Sequence, residues 1–168
     1  TGAGSGTGTG AGAGGSGGNG AGAGGNGNNY LVYASTDTTL FALDPADPML
    51  ELFEVGDFDC TDPVNGSASS MLDIAVDRFQ HLWGVTSHAV MPLLAANGTV
   101  HCGQDVSLVS ADPGGAAPTF YALTFAPVGV LDPQKEVLVA GNSAGELWAI
   151  DANGSTTKHG NFGVVPPD

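Results

Sequence analysis

Positively charged residues are nearly absent from this chain. Its 168 residues include 17 aspartates and glutamates but only three cations, Arg78, Lys135 and Lys158, for a formal net charge of −14. Nucleic acids are bound through cationic side chains that neutralise phosphates, so this balance argues against a nucleic-acid partner. The acidic surface instead favours solubility, repulsion from anionic membranes and loose attraction of divalent cations.

Long hydrophobic runs are also missing. The longest, Ala89–Ala96, contains Pro92 and is far shorter than the roughly 20 apolar residues that a membrane-spanning helix needs. No basic segment precedes an apolar one, so we expect that any signal peptide has already been removed. The sequence therefore predicts no transmembrane helix.

Cysteine is scarce, with Cys60 and Cys102 as the two examples. Neither belongs to a CxxC motif or has a nearby histidine pair, so a zinc site is not indicated. In an exported protein, two cysteines suggest one disulfide, and we predict the pair Cys60–Cys102. Two separate buried thiols are the alternative.

The first 29 residues contain no charge and no large apolar side chain. They hold 15 of the 28 glycines, together with Ala, Ser, Thr and Asn. Such a segment cannot bury enough surface to offset its ordering entropy, and it predicts a disordered, flexible linker. It resembles the tether that follows the lipidated cysteine of exported bacterial lipoproteins, which implies an extracellular, periplasmic or outer-membrane location.

Two segments of the remaining chain align without a gap. Leu31–Asp44 and Leu138–Asp151 each read as an apolar strand, a short polar turn, a second apolar strand and a closing aspartate. This pattern is typical of a β-hairpin. A Gly-x-Phe motif recurs downstream of each, at Gly56–Phe58 and Gly160–Phe162, and suggests that a third strand follows each hairpin.

The middle of the chain carries a looser copy, with Leu82–Thr86 and Ala89–Leu94 as its hairpin strands. Asn97-Gly98 and Asn153-Gly154 follow in two of the copies, and Asn-Gly favours the positive φ angles of a type I′ turn. A further strand is predicted before the hairpin at Met71–Val76 and at Phe120–Phe125. The first copy lacks this strand.

Each full unit thus has four short strands over about 45 residues, the size of a propeller blade. We predict an all-β fold in residues 30–168: a partial β-propeller of about three four-stranded antiparallel blades, near 30–62, 70–110 and 118–165. We expect the aromatic side chains Trp83, Trp148 and Phe41 to fill the space between blades. A β-sandwich built from the same strands is the alternative.

Three blades do not close a ring, since propellers have four to eight. We expect the remainder to come from a longer polypeptide of which this chain is a fragment; pairing of two copies is an alternative. An open wedge that self-associates through exposed blade faces is the third possibility.

The blade pattern resembles a known group of proteins. Asp73–Val85 is similar to the opening of blades in bacterial NHL-like and lactonase-like propellers, and Gly145–Gly154 looks like the inner hairpin of such a blade. The lactonase resemblance implies a divalent cation held in a central channel by acidic and amide side chains. Asp73, Asp77 and Asn142 are the residues that could supply it.

Two other patterns invite chemical interpretation. Asp57 and Asp59 lie at alternate positions as in a calcium loop, but Asp62 and Ala68 stand where an EF-hand has its glycine and its glutamate. Asp57, Asp59 and Asp62 could form a looser Ca²⁺ site or simply belong to a solvated loop. Ser143 matches the G-x-S-x-G motif, but the motif requires a helix after the serine and a strand is predicted there, so we expect Ser143 in a turn.

The sequence favours a non-catalytic surface or secreted module that binds a protein or glycan or acts as a structural scaffold, with no cofactor except possible Ca²⁺. A metal-dependent, lactonase-like hydrolase is the alternative function.

Overall fold

The computed structural model describes residues 30–61, 70–110 and 115–162. Within these ranges the backbone forms strands and turns with no helix, so the all-β class is confirmed and no described segment could cross a bilayer as a helix. The predicted linker over residues 1–29 lies outside the described residues, as do Asp62 and residues 163–165. The 13 strands are β1 (Val32–Ser35), β2 (Thr39–Leu43), β3 (Leu52–Phe58), β4 (Asp73–Val76), β5 (Leu82–Val85), β6 (Ala89–Ala96), β7 (Thr99–Cys102), β8 (Val106–Ser107), β9 (Val109–Ser110), β10 (Ala122–Ala126), β11 (Val137–Gly141), β12 (Glu146–Ile150) and β13 (Ser155–Asn161).

The strands form three antiparallel meanders in chain order. The first meander is β1–β2–β3, the second is β4–β5–β6–β7 and the third is β10–β11–β12–β13. The strands β4 and β10 occupy the places where the sequence predicted an extra strand before the hairpin. From residue 30 onward, where the description of the chain starts, the first meander begins with the hairpin itself.

Two short parallel strand pairs complete two mixed sheets, which the sequence pattern did not predict: one joins the first meander to the second, and the other adds β9 to the third meander. Phe58 pairs with Val100, linking the first and second meanders in an eight-stranded sheet that also includes β8. In the five-stranded sheet, Ser110 of β9 pairs with Thr156 of β13. The close approach of β3 to the turn before β7 requires glycine at position 56, because a Cβ on Gly56 would lie 2.3 Å from the Gly98 carbonyl oxygen.

Two apolar cores lie on opposite faces of the second meander. One fills the space toward the first meander and the other fills the space toward the third. Trp83 and Trp148 pack against the second of these cores, as predicted, whereas Phe41 contacts neither. Burial on both faces explains the continuous apolar character of the strands in the second meander. The core toward the first meander contains Leu40, Phe58, Met71, Leu82, Ala89, Met91, Leu93 and Val100; the other contains Ala75, Val85, Val90, Leu108, Phe120, Leu123, Leu138, Ala140 and Ile150.

The two aligned hairpins are both strand pairs, but their registers differ by one residue. Val32 pairs with Leu43 in the first hairpin, and Leu138 pairs with Ile150 in the other. The ungapped alignment would have matched Val32 with Val139. The shift arises because the second turn is one residue longer, with Gly145 at φ +74°.

The strand that follows each of these two hairpins, β3 in the first meander and β13 in the third, contains a β-bulge at the corresponding place. Gly56 pairs with Leu40 and Gly160 pairs with Leu147, and in each case the register shifts at the next residue of the central strand. Each glycine of the two Gly-x-Phe motifs therefore lies beside a bulge. Bulges of this kind bend the strand and increase its twist.

The two Asn-Gly turns differ. Asn97 and Gly98 both have positive φ, at 54° and 77°, so the type I′ prediction is confirmed there. It is wrong for the second turn, where Gly154 has a φ of +84° and Asn153 is not in the left-handed region. The reason is a three-residue turn closed by Asp151, whose backbone N–H donates to the Ser155 carbonyl.

Candidate functional site

Two of the side chains proposed as cation ligands close turns. Oδ1 of Asp77 accepts hydrogen bonds from the backbone N–H groups of Phe79 and His81, at 2.8 and 2.9 Å. Oδ1 of Asn142 accepts from residues two and four positions ahead in the same way. Asp151 repeats the arrangement in a third turn. These side chains stabilise their turns by satisfying backbone donors.

Asp73, the third proposed ligand, connects two meanders. Its Oδ2 accepts a 2.6 Å hydrogen bond from the backbone N–H of Leu123, at the place where β4 lies beside β10. Asp73 begins β4 and Asp77 follows its last residue, so four residues of extended chain, roughly 13 Å, separate them. The described residues thus place Asp73 and Asp77 at opposite ends of one strand.

The predicted calcium loop falls where β3 ends. Asp57 Oδ1 accepts a 2.6 Å hydrogen bond from the Thr39 hydroxyl. Asp59 Oδ1 accepts from the backbone N–H of Cys102, and its Oδ2 lies 2.8 Å from Nδ1 of His101. The Cys102 N–H and then the His101 side chain lower the pKa of Asp59 below its usual value. Asp62 lies outside the described residues, and the calcium site stays a prediction.

Cys60 and Cys102 form a disulfide, as predicted, across 42 residues of sequence. The bond fastens the end of the first meander to β7 of the second. The Met91 thioether lies 3.7 Å from Cys60 Sγ, beside a pocket of about 200 Å³ whose lining includes both cysteines, His88 and Asp105. Within the described residues, the group of potential metal-ligand atoms around Asp59 consists of its carboxylate and the sulfurs of Cys60 and Cys102, which the disulfide occupies, and it does not include Asp57.

Sequence reasoning missed two histidine–aspartate pairs. Nδ1 of His81 lies 2.8 Å from Asp77 Oδ2, and His101 is paired with Asp59 at the same distance. Burial works to raise the pKa of Asp77, but hydrogen bonds from His81 and Phe79 outweigh it and lower the pKa. An Asp four residues before a His in a predicted turn could have signalled the first pair. The second depends on the parallel pairing of β3 with β7, for which the sequence offered no local signal.

Ser143 lies in the turn between β11 and β12, as predicted. The strand β12 follows it directly, so the helix of a nucleophile elbow is not present at this position.

Exposed apolar side chains collect at one end of the second and third meanders. The β4–β5 turn and the β10–β11 loop, residues 127–136, meet there because the backbone N–H of Arg78 donates to Glu136 Oε2 at 2.9 Å. Phe79 is 63 % exposed and Val130 is 66 % exposed. We call this surface the loop patch; it comprises Arg78, Phe79, Val128, Val130, Leu131 and Glu136.

The loop patch has an ordered backbone and a cation beside an aromatic ring. The Arg78 guanidinium lies 4.6 Å from the centre of the Phe79 ring. In the 127–136 loop, Gly129 donates to the carbonyl of Asp132, and Asp132 Oδ1 accepts from the N–H groups of Gln134 and Lys135. The Gln134 N–H is foremost in lowering the pKa of Asp132. The patch is therefore held in place by its own turns while its apolar side chains face solvent.

Comparisons of this chain with protein-family models, with characterised proteins and with solved structures found no match.

Proposed function

We propose that the chain is a non-catalytic module of propeller-type architecture that binds a protein or glycan through the loop patch. The observation that carries this proposal is the meeting of two turns, fixed by the Arg78–Glu136 hydrogen bond, which leaves Phe79 and Val130 largely exposed. Clustered exposed apolar groups on ordered loops are typical of interaction sites. Arginine and the aromatic residues, phenylalanine included, are also enriched at protein interfaces.

The stacking of the meanders supports the propeller-type architecture. Propeller blades are apolar on both faces, and each blade buries these faces by packing against the blade before it and the blade after it. The second meander has this arrangement, with one core on each face. The innermost strands β4 and β10 lie side by side and are tied by the Asp73–Leu123 hydrogen bond.

The uses of the polar side chains favour a scaffold over an enzyme. Asp73, Asp77 and Asn142 hold backbone N–H groups, so each already has a structural role in the fold. The disulfide supports a secreted or surface location, because such bonds persist in oxidising compartments.

Binding is tested with a glycan array and a set of basic peptides, chosen because the chain is strongly acidic. We expect at least one of these probes to bind the full chain, and Phe79→Ala to weaken that binding about tenfold or more. Leu94→Ala is the matched control, since Leu94 is 68 % exposed on β6 rather than in the loop patch. Equal affinities for the two variants would show that the loop patch is not the site.

The enzyme alternative is tested on the same preparation. Metal content is measured by mass spectrometry, and lactone hydrolysis is followed with and without chelator. We expect neither stoichiometric metal nor hydrolysis. One metal ion per chain with chelator-sensitive turnover would replace the binding proposal with the lactonase-like hydrolase.

A further inference from the structure

The two outermost sheet faces of the stack are mainly apolar. At the first meander, Val32 is 53 % exposed and shares its face with Phe41, Leu43 and Leu52, and Glu54, which pairs with Phe41, is the charged side chain on this face. At the third meander, the outer face contains a cleft of about 150 Å³, almost wholly apolar, and Phe162 at its edge is 65 % exposed. The cleft is lined by Ala122, Leu123, Thr124, Val139, Ala140, Gly141, Leu147 and Phe162.

These two faces correspond to faces that are packed elsewhere in the same chain. We call the face of a meander that looks toward the preceding meander its leading face, and the opposite one its trailing face. In the structural register, Val32, Phe41 and Leu43 occupy the positions of Leu138, Trp148 and Ile150. Those three residues form the leading face of the third meander, which packs against the second.

The trailing faces correspond in the same way. Val139 and Leu147 of the third meander occupy the positions of Tyr33 and Leu40 in the first. Tyr33 and Leu40 contact the core between the first and second meanders. Among residues 30–61, 70–110 and 115–162, one end of the stack therefore has an uncovered trailing face and the other an uncovered leading face. These are the two halves of the interface that is formed twice inside the chain.

We infer that the trailing face of the third meander receives the leading face of the first meander from a second copy of this chain. The contact continues the interface that joins the meanders within the chain. Phe41, at the position of Trp148, would enter the cleft beside Gly141 and Phe162. In stacked arrays the terminal units need polar outer faces for solubility, and these two faces are mainly apolar, so covering them is favourable.

The pairing is head-to-tail, and two copies make it twice. Two chains of three meanders supply six meanders, within the range of four to eight blades that closes a propeller ring. A heterologous contact whose rotation closes gives a finite assembly rather than a fibre. The contact uses sheet faces and leaves the loop patch exposed. A negative result for dimerisation would therefore leave the proposed binding function standing.

The test is the molar mass of the full chain by sedimentation velocity, from about 1 to 100 µM. We expect a dimer of the 16.6 kDa chain. Val32→Asp and Phe162→Asp, each at an exposed position, should each yield monomers, because each change spoils both contacts of the closed pair. Leu94→Asp adds the same charge on β6 and should remain dimeric, and circular dichroism melting of all variants establishes that they are folded.

Mixing the two monomeric variants gives the decisive result. A head-to-tail contact predicts heterodimers in the mixture, since one of the two interfaces then combines an intact Val32 face with an intact Phe162 face. A contact of one face with itself would leave either Val32→Asp or Phe162→Asp dimeric, and the mixture would show no rescue. That result, or a monomer at every concentration of the unaltered chain, would overturn the inference.

Discussion

The carboxylate of Asp73 accepts a 2.6 Å hydrogen bond from the backbone N–H of Leu123, and this contact joins the first strands of the second and third meanders. The same carboxylate also accepts from the backbone N–H of Ile74 through its other oxygen. Leu123 is buried, so its N–H depends on this partner. A residue that the sequence suggested as a cation ligand thus has a structural use between two sheets.

Removing the Asp73 carboxylate should destabilise the fold. In Asp73→Ala the Leu123 N–H loses its acceptor, and we expect the free energy of unfolding to fall by about 1–3 kcal/mol. Asp73→Asn keeps a side-chain oxygen and should lose less than half of that amount. Urea unfolding followed by tryptophan fluorescence measures both. Equal losses in the two variants would mean that charge, rather than the hydrogen bond, is what matters.

Glycine provides a matched test of the link between β9 and the third meander. Gly145 and Gly154 occupy the same position in two turns of one type, with φ +74° and +84°. A Cβ on Gly145 meets open space, whereas one on Gly154 would lie 2.1 Å from the Ser107 carbonyl oxygen.

We expect Gly145→Ala to cost about 1 kcal/mol, the strain of a left-handed backbone. Gly154→Ala should cost at least about 2 kcal/mol more, because the backbone must also move apart. Gln80 is at this position in the third turn with φ +67°, so Gln80→Gly should stabilise by about 0.5 kcal/mol. Denaturant midpoints decide the order, and similar costs for the two alanine variants would refute the close contact.

The two tryptophans provide a second matched pair. The indole N–H of Trp83 is buried and has no hydrogen-bond partner among the described residues, whereas that of Trp148 donates to Glu146 Oε2 at 3.2 Å. Replacing Trp by Phe removes an unsatisfied donor in one case and a hydrogen bond in the other.

We expect the free energies of unfolding of the two variants to differ by about 1–2 kcal/mol because of this hydrogen-bond difference, with Trp83→Phe the more stable. Both changes remove similar ring area from the same core, so the loss of packing is common to them. Thermal melting of the two proteins provides the comparison. A less stable Trp83→Phe would indicate a partner for that indole outside the described residues.

The sequence predicted the strands well because each depends on a local pattern of apolar and turn residues. The hairpins at β1–β2 and β11–β12, the turn at Asn97-Gly98 and the pair Cys60–Cys102 were all found. The one-residue shift between the hairpins was missed because an extra turn residue and a changed register look identical in an ungapped alignment. Backbone pairing is compatible with both a longer turn and a shifted register, and the choice between them depends on which face of the strands is buried.

The joining of meanders and the loop patch could not be predicted from local patterns. The parallel pairs Phe58–Val100 and Ser110–Thr156 involve residues far apart in sequence and very short strands. The Arg78–Glu136 contact spans 58 residues and uses a backbone donor, which any residue could have supplied. Tertiary packing determines such contacts, and no sequence motif predicts them.

Breaking the disulfide should cost a large part of the total stability. A cross-link that spans 42 residues is worth about 4 kcal/mol in the chain-entropy model, because it restricts the unfolded chain. We expect the double variant Cys60→Ser, Cys102→Ser to lose about this amount in urea unfolding. In the presence of reductant, the unaltered protein should have the same free energy of unfolding as the double variant. The reductant should not change the free energy of unfolding of the double variant. A loss below about 1 kcal/mol would contradict this role for the bond.

Acid should weaken the contact between β3 and β7 through Asp59. Its pKa is lowered in the folded protein by the Cys102 N–H and by His101, so between the folded and unfolded pKa values the unfolded chain binds more protons. The resulting stabilisation is fully present above the unfolded value, near pH 4, and is lost as the pH falls through the folded pKa. We therefore expect Asp59→Asn to be less stable than the unaltered protein at pH 6 and equally stable at the acidic limit. The free energy of unfolding, measured from pH 6 downward, tests this prediction. In the His101→Gln background, we expect Asp59→Asn to cause a smaller loss of stability at pH 6. Parallel pH profiles for the unaltered protein and Asp59→Asn would rule out this role of Asp59.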